Sequence, residues 1–227
     1  MKKIISIMML MIISLSVYAN DIYINQSGAT LDLDVTQDGQ NNTVGSSSTA
    51  SSVIGATTNL AITQIGDSNV MTFDVNGATY TGTYSVTGDS NNIDFNCDSG
   101  GSNSSCGTAT ASIVWVGSSN DIDIDIGETS SATSATVGIT GASGSDSNTV
   151  LGTIDGNSAI LTLSINGDTN NFLVDIDGNG DSVGHTYIHT HTGSIADVDI
   201  TQSGIYDNMI TLTTSGDNHD IDIIQRD

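Results

Sequence analysis

Carboxylates are the first chemistry this sequence offers. Asp121-Ile-Asp123-Ile-Asp125 puts three acids on one face of an extended strand and isoleucines on the other. Asp197-Val-Asp199 and Asp220-Ile-Asp222 repeat the idea. Hard divalent cations take oxygen ligands of this kind, so Asp121, Asp123 and Asp125 are the candidate Ca²⁺ residues. Gly178-Asn-Gly-Asp181 is only a weak echo of a nonapeptide Ca²⁺ repeat, and no EF-hand loop occurs. The plainer reading is a solvated acidic face. Histidine is the second candidate. His185, His189 and His191 share parity with Tyr187, a pattern that suits Zn²⁺ or Cu²⁺ on a strand face. They are read here as a polar insertion between repeats. Cys97 and Cys106 flank a polar Ser/Gly/Asn loop, and a disulfide between them would add about 2–3 kcal/mol in the chain-entropy model. No Gly-x-Ser-x-Gly elbow, phosphate loop or His-Glu-x-x-His is present. Aspartates are so frequent that any two imitate a glycosidase pair. The chain is read as a non-enzyme.

What must position these residues follows from composition. The chain has 227 residues, 26 Asp and Glu against 3 Lys and Arg, a net charge of −23, 25 Gly and no Pro. Asp, Asn, Gly, Ser and Thr are poor helix formers, which excludes a helical bundle. No basic patch exists to neutralise phosphates, which excludes nucleic acid as a partner. Disorder is excluded by Ile, Val and Thr recurring in alternation.

Residues 1–19 read as a signal peptide. Lys2 and Lys3 form a cationic head, Ile4 to Val17 an apolar run, and Val17-Tyr-Ala19 a small-x-small cleavage site. Cleavage there leaves Arg226 as the only Lys or Arg in residues 20–227. The chain is therefore expected to be secreted through the periplasm to the cell surface or beyond.

Residues 20–227 repeat. A Gly followed three residues later by Asn recurs at Gly39/Asn42, Gly66/Asn69, Gly88/Asn91, Gly117/Asn120 and Gly167/Asn170. Looser copies are Gly141 reaching Asn148 through an enlarged loop, Gly204 with Asn208 one place late, and Gly216 with His219 in the Asn position. Period-2 alternation flanks each copy. One strand-turn-strand arch cannot bury its apolar face alone, but stacked arches can. The reading is an all-β, amyloid-like β-solenoid of about eight rungs. Gly supplies positive φ at the turn, and Asn is expected to tolerate left-handed geometry or bond its own backbone. Under this alignment Asp94 and Asp123 share a column, as do Asp74, Asp125 and Asp175. Charges about 4.8 Å apart repel by about 0.9 kcal/mol even in water, so assembly is expected to be slow at neutral pH and low salt. It should be faster near pH ~4 or with Ca²⁺.

The pattern Ile-x-Gln-x-Gly-x-x-Asn resembles the curlin repeat of bacterial curli fibre subunits. It is complete at Ile62/Gln64/Gly66/Asn69 and, with Val for Ile, at Val35/Gln37/Gly39/Asn42. It is partial at Ile24/Gln26/Gly28 and Ile200/Gln202/Gly204, and the middle copies replace Gln by Val86, Trp115, Ile139 or Ile165. The resemblance implies a secreted subunit that forms or nucleates extracellular amyloid fibres for adhesion and biofilm matrix. Its partners would be further copies or a related fibre subunit, and an outer-membrane secretion machinery. Gln26, Gln37, Gln64 and Gln202 are the expected amide ladder, since stacked amides satisfy one another and set register. The alternative function is a monomeric Ca²⁺-binding solenoid adhesin or surface-layer module.

Overall fold

The computed structural model describes residues 21–39, 41–45, 50–66, 69–88, 91–97, 106–127, 134–142, 144–177, 185–204 and 208–226. The expected signal peptide lies outside the described residues, as do most of the Cys97–Cys106 loop and Gly178–Asp181. The described chain is all strand and turn. In order the strands are β1 (Asp21–Ile22), β2 (Asn25–Asp38), β3 (Thr43–Val44), β4 (Ser51–Ile65), β5 (Val70–Thr87), β6 (Asn92–Cys97), β7 (Cys106–Val116) and β8 (Asp121–Ile126). They continue as β9 (Ser134–Gly141), β10 (Thr149–Asp155), β11 (Ala159–Asn166), β12 (Asn170–Asp177), β13 (Thr186–Thr192), β14 (Ala196–Ser203), β15 (Met209–Ser215) and β16 (Asp220–Arg226).

Every pairing is parallel, and the chain winds as a β-solenoid of about seven turns. A first sheet stacks the later part of β2, then β4, β5, β7, β9, β11, β13 and β15. A second sheet stacks β1, β3, the start of β5, β6, β8, β10, β12, β14 and β16. Rings meet between the sheets: Tyr80 stacks on Phe95 with centroids 5.0 Å apart, and Phe73 lies 6.2 Å from Tyr84. Alternation therefore buries one face of every interior strand.

Two corners join the sheets. At one, β2, β4 and β5 bend without breaking, through Gly28-Ala29, Gly55-Ala56 and Gly77-Ala78. The backbones stack so closely there that a Cβ on Gly77 would lie 2.2 Å from the carbonyl oxygen of Gly55. The other is the tight Gly-x-x-Asn corner. Register places it at Gly39, Gly66, Gly88, Gly117, Ser145, Gly167, Gly193 and Gly216, seven turns from first to last.

Three expectations are corrected here. Ser145, not Gly141, begins the corner that ends at Asn148; Gly141 pairs with Ile165 inside the first sheet. Gly204 and Asn208 belong to the opposite corner, because Gln202 lies on β14 of the second sheet. The tight corner of that rung is Gly193 to Ala196, and Ala196 pairs with Asn170. Finally, of the two roles expected of the turn Asn, it bonds its own backbone, Nδ2 of Asn69, Asn91, Asn120 and Asn170 donating to the carbonyl three residues back, and is not itself the left-handed residue. The residue before the ladder position is: Asn41, Ser119, Ser147 and Thr169 before Asn, Ile195 before Ala196 and Asn218 before His219 have φ between 56 and 64°.

Candidate functional site

The tight corner carries a buried amide column of Asn42, Asn69, Asn91, Asn120, Asn148 and Asn170. Asn120 shows how each member works. Its Nδ2 donates to the carbonyl of Gly117 at 2.9 Å, closing its own corner, and to Oδ1 of Asn148 at 3.0 Å. Its backbone N–H donates to the same Oδ1 at 2.9 Å. Its own Oδ1 accepts from Asn91, backbone and side chain, at 3.0 and 2.9 Å. One side chain thus satisfies its turn and locks two rungs in register, which explains its burial without penalty. The column ends where Ala196 and His219 take its place. On the solvent side of the same corner, Asp146 adds a second link by accepting from the N–H of Asp168 at 2.6 Å.

The glutamines do not form one ladder. Gln37 and Gln64 are neighbours in the first sheet, and Nε2 of Gln64 donates to Oε1 of Gln37 at 2.7 Å. Gln202 and Gln225 are neighbours in the second, at 3.2 Å. Gln26 also lies in the second sheet, beside Val53, and not with Gln37 and Gln64. The second column is apolar from Val53 to Ile176, and the first carries no polar side chain from Val86 to Ile165 before reaching His191. Val86 and Trp115 follow Gln64, while Val75, Cys97 and Ile126 lie between Gln26 and Gln202. Amides therefore mark the two ends of the solenoid.

The histidines overturn the expectation of a polar insertion. His185, His189 and His191 are buried, pointing into the core with Tyr187. Nδ1 of His189 meets the Tyr187 hydroxyl at 2.7 Å, and Nε2 of His191 meets the Gly167 carbonyl at 2.7 Å. His189 packs edge-on to Phe172, centroids 4.9 Å apart, and His219 closes the group 5.4 Å from His191. Burial, then the neighbouring His191 and His219, pushes the His189 imidazole down to about 4. Burial likewise lowers His191, partly offset by its bond to Gly167. Burial thus favours the neutral imidazole at His189 and His191. Nothing in the sequence marked them as such, because alternation sets parity and not which parity faces inward. Upstream, the buried hydroxyls of Tyr80 and Tyr84 hydrogen-bond to each other above Gly82, whose missing side chain gives them room. Burial raises both phenols.

The acids face outward. Asp121, Asp123 and Asp125 alternate along β8 as expected, but among the described residues no group of three His, Cys, Asp or Glu side chains is placed to hold a metal ion. The charge columns are also interrupted. Asp74, Asp125 and Asp175 share a column with Asn96 and Thr153 between them, so these charges sit two rungs apart. Asp94 and Asp123 are direct neighbours. Burial, then the charge of Asp74, raises the Asp94 carboxyl, and burial raises Asp74 and Asp175. Cys97 is buried and disulfide-bonded, and Cys106 is the only other cysteine of the chain.

Both ends of the solenoid are open among the described residues. At one, Ile22, Ile24, Leu31, Leu33 and Val35 are only partly buried; at the other, Ile210 and Ile221 are. Ile223 and Ile224 are exposed on the last rung, and β2, β15 and β16 each present an unpaired edge. No family model, curated protein or solved structure matches the chain.

Proposed function

We propose that this chain is a secreted structural subunit that stacks end to end, or nucleates such stacking, into extracellular amyloid-like fibres for surface adhesion and biofilm matrix. The observation that carries the reading is the pair of open rungs. Each exposes an inward-facing apolar row and a parallel backbone edge, with no Pro and no Lys among the described residues to block pairing, while the Asp of β2 and β16 oppose it only through charge that salt screens. Interior rungs with the same alternation are fully buried, so a further copy supplies what each end lacks. The core is filled with side chains, and the polar columns are spent on each other, which favours a scaffold over a catalyst. The partner is another copy or a related fibre subunit, reached after export behind residues 1–19 and through an outer-membrane secretion machinery.

The test is assembly of residues 20–227 followed by thioflavin fluorescence and electron microscopy, with salt titrated to screen the acidic faces. Fibres that seed fresh protein are expected. Ile221→Asp and Leu212→Asp, in half-buried positions of the last rungs, should abolish elongation and leave the solenoid folded. A chain that stays monomeric at high concentration and high salt overturns the reading.

A further inference from the structure

The first and last strands of the second sheet are near copies. Asp21-Ile-Tyr-Ile-Asn-Gln-Ser27 and Asp220-Ile-Asp-Ile-Ile-Gln-Arg226 share Asp, Ile, Ile and Gln at the same spacing. They also share columns. Followed rung by rung, the register carries Asp21 into the column of Asp220, Ile22 into that of Ile221 and Gln26 into that of Gln225. Between them that last column is apolar up to Gln202. β16 is therefore chemically suited to the place that Asp21–Ser27 occupies beside Thr43–Val44 and Ser52–Val53.

The count of strands gives this likeness a use. Among the described residues the first sheet has eight levels and the second nine. Two copies stacked whole, Asp21–Ser27 of one upon β16 of the other, leave a slot one strand deep between β15 and the next copy's β2. Both facing edges then keep unpaired N–H and C=O groups. The same stack puts Asp197, Asp220 and Asp21 of the next copy in one unbroken row of charge.

We propose that copies join by strand exchange, β16 of one molecule replacing Asp21–Ser27 of the next, whose own segment is released. The proposal rests on the fibre reading above and specifies its joint. Exchange closes the slot: β15 pairs with β2 of the next copy, Ile210 meeting Leu33 and Leu212 meeting Val35 in the continuing inward columns. β15 carries no acid, so Asp32, Asp34 and Asp38 on the outer face of β2 meet Met209, Thr211 and Ser215 instead of like charge. Asp220 then lies between Asp197 and Thr43, one carboxylate fewer in the row. Because the incoming strand repeats Asp, Ile, Ile and Gln of the outgoing one, the bonds lost and gained on that side are alike. The new β15–β2 ladder remains as net gain.

Cross-linking between different variants of residues 20–227 decides it. Directly paired residues on parallel neighbours lie about 4.8 Å apart, inside disulfide range. Asp220→Cys chains are mixed with Thr43→Cys chains, and separately with Asp21→Cys chains, then oxidised and mapped by mass spectrometry. Strand exchange gives at least tenfold more 220–43 than 220–21 cross-link. Gln225→Cys with Val53→Cys reads the same joint from its inward side and should agree. A dominant 220–21 product, or neither product, overturns the exchange. Electron microscopy of the wild-type chain separates the two readings. Fibres without the 220–43 product leave the fibre reading standing alone. Cross-linked 220–43 pairs without fibres leave the joint standing alone.

Discussion

Nδ2 of Asn120 lies 3.0 Å from Oδ1 of Asn148, and the backbone N–H of Asn120 reaches the same oxygen at 2.9 Å. This one residue links its corner to the rungs on both sides. Asn120→Ala removes the donors to Gly117 and Asn148 and the acceptor for Asn91, all in a buried place. A loss of about 2–4 kcal/mol is expected, at roughly 1 kcal/mol per bond. Asn171→Ala, on an exposed position of β12, should change stability by less than about 0.5 kcal/mol. Urea midpoints of the two variants check the contrast, and equal losses would refute the ladder's role.

Trp115 spreads over Gly141, its neighbour on β9, where a Cβ would lie 2.6 Å from Trp115 Cζ2. Gly141→Val should cost about 1–3 kcal/mol by overpacking. Trp115→Val should cost about 2–4 kcal/mol by leaving a void. Together they rebuild the aliphatic stacking of the flanking Val86 and Ile165. The double variant should therefore be more stable than the sum of the two by at least about 1 kcal/mol. A thermodynamic cycle from denaturant melts measures this coupling, and strict additivity would count against it.

Ile195 stands in left-handed backbone at φ 61°, half exposed, where the other corners place Asn41, Ser119, Ser147, Thr169 and Asn218. A β-branched side chain is strained there. Ile195→Asn should raise stability by about 1 kcal/mol. Thermal melts at one pH are sufficient, and a fall in Tm would reject the strain.

Acid acts on the histidine rungs in a definite sense. His189 titrates at about 4 in the fold and near 6.5 when exposed. The unfolded chain therefore takes up its proton first, and stability is lost as pH falls from about 6.5 to about 4, with no further loss below. The loss amounts to roughly 3 kcal/mol. His191 acts in the same direction. Asp74, Asp94 and Asp175 have the opposite sign, since their carboxyls are raised and protonation relieves the fold. Acid thus eases the outer charge columns and loosens the C-terminal rungs. His189→Leu, between Leu163 and Leu212 in its column, should flatten the decline in Tm between pH 6.5 and 4.5. Parallel pH profiles for variant and wild type would show that His189 is not the group responsible.

The solenoid was legible in the residues because its causes are local. Alternation declares a strand with two unlike faces, and the Gly-x-x-Asn corners at Gly66, Gly88, Gly117 and Gly167 recur wherever a turn must close on itself. Neighbours on the strands after the tight corner were legible, as Asp94 beside Asp123 shows, but those beyond the second corner were not, because it varies from the two-residue bend at Gly77-Ala78 to longer connections. Each variation shifts which residue of the next turn lies alongside. Only the folded register assigns Gln202 to the second sheet, puts Ser145 where Gly was expected and separates Gln26 from Gln37 and Gln64. The inward turn of His185, His189 and His191 has the same origin. Their alternation is written in the chain, but the choice of face is made by Leu163, Phe172 and Leu212, which already occupy the core beside them.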